Sequence, residues 1–441
     1  MQTYNEYKPS GVQWLGDIPK DWVVKRLKYT IHSLKVGPFG SAIKTSDYTD
    51  SGYWVYNQRT VLDDNFLSNN TLISEHKYNE LKSFNVKTDD ILITTRGTIG
   101  QIAIVPKNNI DGILHPCLMK FRLHKNIASY DYIRLCFNET SLIYKQFQFK
   151  SNATTIPVIY SDTLKELSIP LPPLSEQQQI VTFLDNKLVT IDTLIGKQRQ
   201  LLEKLDEQRS ALISHTVTKG LNPQTPMKDS GVEWLGDIPS HWEVKRLKYV
   251  ANIFNGDSLN EDMKAKYTSI NLDELPYISS KDINVATHNV NYNNGLRIPK
   301  NTNLKIAPKN SSLLCIEGGS AGRKVAFINQ DVCFVNKLAS FVAQIDNSKF
   351  LFYILNGELF KNQFNINLSG LIGGVSITSI KHFFIPLPPL TEQQQIADYL
   401  DTETAKIDKT KQKITELIAK LTEYRTALIT NAVTGKIKVS S

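Results

Sequence analysis

At 441 residues, 41% of them hydrophobic and 21% charged, the chain has the make-up of a globular protein too long for one ordinary core, and two to four domains are expected. A net charge of +8 permits nucleic acid as a partner without requiring it. The polar start "MQTYNEYKPS" and the lack of any long apolar stretch argue against a signal peptide or a membrane span, and a cytoplasmic location is expected.

In chain order, the first distinctive segment is the head Ser10–Tyr29, "SGVQWLGDIPKDWVVKRLKY". The interior that follows predicts short strands, with "DDILITTRGTIGQIAIVP" reading as two strands around a glycine-containing turn. At Ile169 comes "IPLPPLSEQQQI". Its prolines hold the chain extended and deny donors to a helix or sheet. Ser175 is then placed to cap a helix whose first turn carries Glu176. From Ile180 apolar residues fall at Leu184, Leu188, Ile191, Ile195, Leu202, Leu205 and Leu212, with Gln198 and Arg209 filling two seam positions. Apart from the opening step, these spacings alternate threes and fours and predict a coiled-coil helix of about 40 residues, ~60 Å long. "TKGLNPQTP" (Thr218–Pro226) ends it as a linker.

The chain then begins again. Ser230–Tyr249, "SGVEWLGDIPSHWEVKRLKY", matches the first head at 16 of 20 positions. The second interior shares only faint echoes with the first: "LLCIEGGSAG" (Leu313–Gly322) with "ILITTRGTIG" (Ile91–Gly100), and "YISSKDI" (Tyr277–Ile283) with "VYNQRTV" (Val55–Val61). "NVNYNNGLRIPKNTN" (Asn289–Asn303) reads as a loop. "IPLPPLTEQQQI" from Ile385 matches the first tail at 11 of 12 positions. The seam recurs 216 residues on, at Ile396, Leu400, Thr404, Ile407, Lys411, Ile414, Ile418, Leu421, Arg425 and Leu428. Repeats this long exceed solenoid periods. Matched frames around unmatched interiors describe one fold used twice for two targets.

The positive charge sits in the interiors. Residues 1–165 hold 20 Lys and Arg against 15 Asp and Glu, and residues 221–381 hold 17 against 14; residues 166–220 (6 against 7) and 382–441 (8 against 7) are nearly neutral. No nucleotide-binding glycine-rich loop and no Asn-Pro-Pro-aromatic tetrad of the amino-methyltransferases occurs. The four cysteines lack CxxC spacing; His115 beside Cys117 reads as a buried thiol next to a surface imidazole before it reads as a metal site. Asp64 with Glu75, His76 and Lys77 is a nuclease-like set by residue type, and a solvated surface by the looseness of its spacing. Trp14, Trp22, Trp234 and Trp242 recur with the heads, which favours frame packing over base stacking.

The "GVxWLGDIPxxW" head, the "IPLPPLxEQQQI" tail and the long helix after each tail resemble the specificity subunit of type I restriction–modification systems across essentially the whole chain. The resemblance implies an α/β fold. It implies two mixed α/β target-recognition domains in pseudo-two-fold tandem repeat, separated by two long helices that form an antiparallel coiled coil. The segments are then a first target-recognition domain (1–168), a central helical region (169–220), a second target-recognition domain (221–384) and a C-terminal helical region (385–441). It implies a non-catalytic host-defence subunit, each domain reading one half of a bipartite double-stranded DNA target. Two methyltransferase subunits would methylate adenine N6 with S-adenosylmethionine, and restriction subunits would use ATP and Mg²⁺ to translocate and cleave. No cofactor or metal is expected in this chain. Arg and Lys at base edges and phosphates carry such recognition, and the candidates in the interiors are Lys44, Arg59, Arg96, Lys281, Arg297, Arg323 and Lys324. The shared "VKRLK" cluster (Val24–Lys28, Val244–Lys248) can touch phosphate but cannot distinguish half-sites. Two other classes stay open at this point: a self-contained nuclease or methylase built on Asp64, and a scaffold whose coiled coil binds protein alone.

Overall fold

The computed structural model describes residues 2–68, 71–150, 158–268, 273–344, 346–370 and 373–439. The chain gathers into two compact units, Met1–Lys197 with Leu417–Ser441 and Gln198–Glu416. These units divide both long helices, so each holds one globular block, one half of the first helix and one half of the second.

Heads and tails recur together because they bond to each other. In the first unit, strand Val23–Arg26 pairs antiparallel with Ser168–Leu171, Val24 opposite Pro170. In the second, Glu243–Arg246 pairs with Phe384–Leu387, Val244 opposite Pro386. The prolines therefore do not keep the tail out of sheet structure; a ladder of only two strands tolerates a residue without a donor. Each head also folds a small hairpin, Tyr7–Pro9 with Asp17–Pro19 and Met227–Asp229 with Asp237–Pro239. The "EQ" of each tail completes the joint. Trp22 Nε1 donates to Glu176 Oε2 at 3.1 Å, and Trp242 Nε1 donates to Glu392 Oε2 at 3.1 Å. Buried Gln177 accepts from Ser129 N at 2.8 Å and donates to Pro172 O at 3.0 Å. Gln393 repeats this with Asn347 N at 2.9 Å and Pro388 O at 3.0 Å.

The long helices, Leu174–Lys219 and Leu390–Val433, open one residue before the expected serine and threonine caps. Ser175 and Thr391 lie inside the first turn, where the carbonyls of Pro173 and Pro389 already accept the first amide bonds. The proline fixes the entry, and the hydroxyl is not needed as the cap.

In each block a four-stranded antiparallel sheet runs in the same order: Ile31–Val36, Leu118–Leu123, Ile91–Thr94, Ile102–Ile104 in the first, and Ala251–Asn255, Leu338–Ala343, Ser312–Cys315, Val325–Phe327 in the second. The registers agree, since Phe121 faces Leu34 and Ile91, and Phe341 faces Ile253 and Ser312. A second sheet shares only its parallel pair, Tyr53–Tyr56 with Gly112–Leu114 and Leu275–Ile278 with Val332–Phe334. Beyond that pair the blocks diverge, as their sequences do. The first core gathers Trp22, Phe121, Tyr132 and Leu184; the second gathers Trp242, Phe341, Phe360 and Leu400.

Seam residues Leu184, Leu188, Ile191 and Ile195 share the first unit's core with Leu428, Ile429 and partly buried Ile418 and Leu421. Leu400, Ile407 and Ile414 are buried, and Leu202 and Leu205 are half-buried. The pairing is antiparallel. Asp192 meets Arg425 at 2.9 Å in the first unit; Asp206 meets Lys411, and Asp408 meets Arg209 at 3.3 Å, in the second. Each step forward on one helix is matched by an equal step back on the other. Among the described residues no helix is long and apolar enough to cross a membrane.

Candidate nucleic-acid interface

In the first block, loops gather at one end of the four-stranded sheet. The chain leaves strand Ile31–Val36 through Gly37, where a side chain would collide with the His115 carbonyl. The turn after Ile91–Thr94 is tied to the same place: Thr95 N and Oγ1 donate to Cys117 O at 3.1 and 2.8 Å. The short helix Gln58–Leu62 joins them, capped by Asn57 Oδ1 accepting from Arg59 N at 2.9 Å, with Gln58 Nε2 donating to Thr98 O at 3.4 Å. Arg59, on that helix, and Arg96, on the turn, are thus brought to neighbouring segments, and both are exposed. The Arg59 side chain is 88% exposed and its Nε lies 3.1 Å from Asp63 Oδ2. It borders a polar recess of about 390 Å³ with Asn57, Thr60 and Thr71. Lys44 is exposed on the loop that Gly37 begins.

The second block repeats the arrangement with other side chains. Gly256 stands where Gly37 does, against the Phe334 carbonyl. Lys281 is exposed in the turn Ser280–Asp282, closed by Ser279 N and Oγ donating to Asp282 Oδ2 at 2.8 and 2.6 Å. Lys324, half-buried, donates to Ser280 O at 2.6 Å, which joins two loops along a recess of about 700 Å³ lined by Lys281, Asn284, Thr287 and Asn291. Arg323 is exposed and donates to Gly319 O.

Arg297 is the exception among the seven cations. It is 4% exposed, in strand Arg297–Ile298 against Leu275–Pro276, and its guanidinium donates to Asn293 Oδ1 at 3.2 Å and Glu274 O at 3.5 Å. Arg297 is therefore buried and held by the protein's own groups, whereas the other six are exposed or half-buried.

Two groups were not evident in the sequence. Phe39 is 89% exposed on the Lys44 loop, a large apolar side chain of the kind that contacts a thymine methyl or wedges between bases. Its signal is the "GPFG" setting, a bulky residue between two glycines. Glu317 occupies the place of Arg96. Thr95 N donates to Cys117 O, and Ile316 N to Lys337 O; the next residues, Arg96 and Glu317, bridge to Val158 and Gly374, and a positive-φ glycine follows each. Arg suits guanine and Glu suits the cytosine amino group. The equivalent positions therefore present opposite charges.

The nuclease-like set is not assembled. Asp64 lies 3.6 Å from Arg134, and Lys77 pairs with Glu80 at 3.0 Å. Among the described residues no group of three or more His, Cys, Asp or Glu is placed to hold a metal ion. His115 Nδ1 and Cys117 Sγ lie 2.8 Å apart, both half-buried rather than split between core and surface. Burial lowers the imidazole pKa and raises that of the thiol, so both stay neutral. In "VKRLK", Glu166 pairs with Arg26 at 2.6 Å and Lys28 at 2.7 Å. Trp22 and Trp242 are fully buried frame residues, whereas Trp234 is half-exposed beside Phe384.

The sequence matches the family described as the type I restriction modification DNA specificity domain over residues 19–204 and 239–419. It is 25% identical to the type I restriction enzyme MjaVIII specificity subunit of Methanocaldococcus jannaschii, covering 100% of this chain and 98% of that one. It is 27% identical to the putative MjaX specificity subunit of the same organism, covering 97% and 96%. In fold it is similar to a chain from a structure of complex assembly and conformational transition of the type I R-M system (TM-score 0.69, 18% identity, 95% and 99% covered). It is also similar to the HsdS subunit from Thermoanaerobacter tengcongensis (TM-score 0.56, 19% identity, 95% and 98% covered). With one strand frame built twice, different side chains on equivalent loops and the family matched over both blocks, the chain belongs to the type I restriction–modification DNA specificity subunits.

Proposed function

We propose that this chain is the non-catalytic reader of a type I complex. The first interior selects one half of a bipartite DNA target and the second interior the other. The observation that carries this division is the presence of Arg96 in one block and Glu317 in the other on the equivalent turn of the equivalent sheet. A frame kept constant while its loop chemistry is inverted suits two different half-sites. The long helices carry two methyltransferase subunits, which bring S-adenosylmethionine to adenine N6. Restriction subunits supply the ATP- and Mg²⁺-dependent translocation and cleavage. In this division of labour the specificity chain contributes position and sequence choice, and its partners contribute the chemistry.

Methylome sequencing of a host expressing the chain with its methyltransferase tests the proposal. Replacing residues 23–165 with the interior of a related subunit is expected to change one half of the methylated motif and leave the other intact. A change in both halves, or in neither, defeats modular reading. Methylation or cleavage by the purified chain alone, supplied with S-adenosylmethionine, ATP and Mg²⁺, defeats the non-catalytic assignment.

A further inference from the structure

The first block carries a charged cleft on its four-stranded sheet, apart from the cations considered above. His32, Lys35, Asn85, Lys87, Lys120 and Arg122 surround Asp90 in a recess of about 430 Å³. Asp90 is almost fully buried; it takes Lys120 Nζ at 2.8 Å and Arg122 Nε at 2.5 Å. Lys120 also donates to Asn85 O, and Arg122 to Thr88 O at 2.8 Å. Lys35 and Lys87 are exposed. The Lys35 ammonium lies 4.6 Å from the centre of the Phe84 ring, and Phe84 packs in one cluster with Ala42 and Ile43 of the Lys44 loop. The cleft therefore borders a loop of the recognition end. Nearby Asp89 is already paired with Lys125 at 2.7 Å, so the cleft faces four cations with one carboxylate.

The second block supplies an internal control, because its sheet has the same register. Lys120 faces Lys35 and Leu92; at the same step Ser340 faces Phe254 and Leu313. Arg122 faces Ser33, and Val342 faces Asn252. Asp90 O accepts from Val105 N as Ser311 O accepts from Ile328 N, and Lys87 and Pro308 accept from the amides of Asp90 and Ser311. Every charged position has a neutral counterpart: Phe254 for Lys35, Pro308 for Lys87, Ser311 for Asp90, Ser340 for Lys120 and Val342 for Arg122. The fold closes without these charges. A buried carboxylate that draws two cations together is costly to maintain for stability alone, and two further lysines are left exposed beside it.

We infer that this cleft holds one or two backbone phosphates of the DNA flanking the first half-site, a contact the second block lacks. The inference rests on DNA recognition by the first block. Lys35 and Lys87 supply direct charge, while Asp90 holds Lys120 and Arg122 in place at the cleft wall. Phosphate contacts add affinity without sequence information, so the cleft strengthens binding at the first half-site without altering which bases are read.

The test is the salt dependence of DNA binding by the assembled specificity–methyltransferase complex, with Lys35→Ala/Lys87→Ala beside wild type. Each lost phosphate contact lowers the slope of log affinity against log salt by about 0.9. The double variant is therefore expected to bind its motif with a slope shallower by one to two, to bind more weakly at low salt, and to methylate an unchanged motif. Both lysines are exposed, so the melting temperature is expected to stay at the wild-type value. Wild-type motif preference with an unaltered slope in the variant overturns the cleft alone. A variant that loses methyltransferase subunits while keeping its slope also overturns it, and assigns the cleft to a protein partner. A wild-type complex with no motif preference removes the DNA reading and the cleft together.

Discussion

Glu176 and Glu392 each accept the indole N–H of a tryptophan that solvent does not reach, and Glu176 also accepts from Tyr4 Oη. Truncation to Glu176→Ala orphans the buried Trp22 N–H and is expected to cost about 1–3 kcal/mol in urea unfolding. Glu176→Gln keeps an acceptor and is expected to cost less. His288 gives a pH signature in the second unit. It packs at positive φ beside Arg209, with Nδ1 donating to Val325 O at 2.9 Å. Burial, then the Arg209 charge, pushes its pKa down to about 4. An unfolded histidine titrates near 6.5. The contribution is therefore fully present above about pH 6.5 and is lost as pH falls toward 4, by about 3 kcal/mol. His288→Asn tolerates the left-handed backbone and is expected to flatten the stability profile between pH 4 and 6.5; a profile as steep as wild type would clear His288 of that role.

The seam makes its own demand at the scale of the helix. Ile191 is buried among the first unit's core residues, and Asp192 beside it is committed to Arg425. Ile191→Asp is expected to destabilise by several kcal/mol and to abolish assembly with the methyltransferase before it alters sequence preference. Normal melting and activity in that variant would place the seam elsewhere. These helices were legible in the sequence because their period is dictated by packing, and the head–tail joint because it is written twice. The strands around Gly97 and Gly318 were legible from apolar runs broken by glycine. For the candidate cations the sequence indicated a region but not a side chain's setting. Five of the seven lie on loops or turns and Arg59 on a short helix, but Arg297 belongs to a strand of two residues, too short for alternation to reveal which side turns inward. The match of Arg96 with Glu317 was hidden because the turns differ in length by one residue, so an ungapped alignment sets Thr95 against Glu317. The charged cleft is spread over three separate stretches, and only strand register assembles it.

For the whole molecule, the matched ladder of Asp192–Arg425, Asp206–Lys411 and Arg209–Asp408 constrains any change in helix length. Four residues inserted after Gly196 alone would shift Asp206 and Arg209 against partners that have not moved. Two insertions of four, after Gly196 and after Glu416, lengthen both helices by ~6 Å and keep close to one full turn. If helix length sets the unread gap between half-sites, the doubly extended chain is expected to methylate a motif with roughly one or two more base pairs in the gap, at a rise of about 3.4 Å each. Its half-sites are expected to be unchanged, as methylome sequencing would show. The single insertion is expected to lower the melting temperature.

The division of both helices between the units has a further consequence, for the order in which the protein is made. Gln198–Glu416 is one uninterrupted stretch, so on a ribosome it has all its parts before synthesis ends. The first unit does not. Leu428, Ile429, Ala432 and Val433 belong to the core built around Trp22, and Tyr132 Oη donates to Val433 O at 3.1 Å. The block translated first is left with an open core until the final helix emerges, contrary to the usual N-terminal-first order of domain folding. A chain stopped after Glu416 is expected to give a protease-resistant Gln198–Glu416 fragment and a readily digested first block. Equal resistance in both would mean that the early block closes unaided. On this account the first half of the protein to be translated is the last to fold.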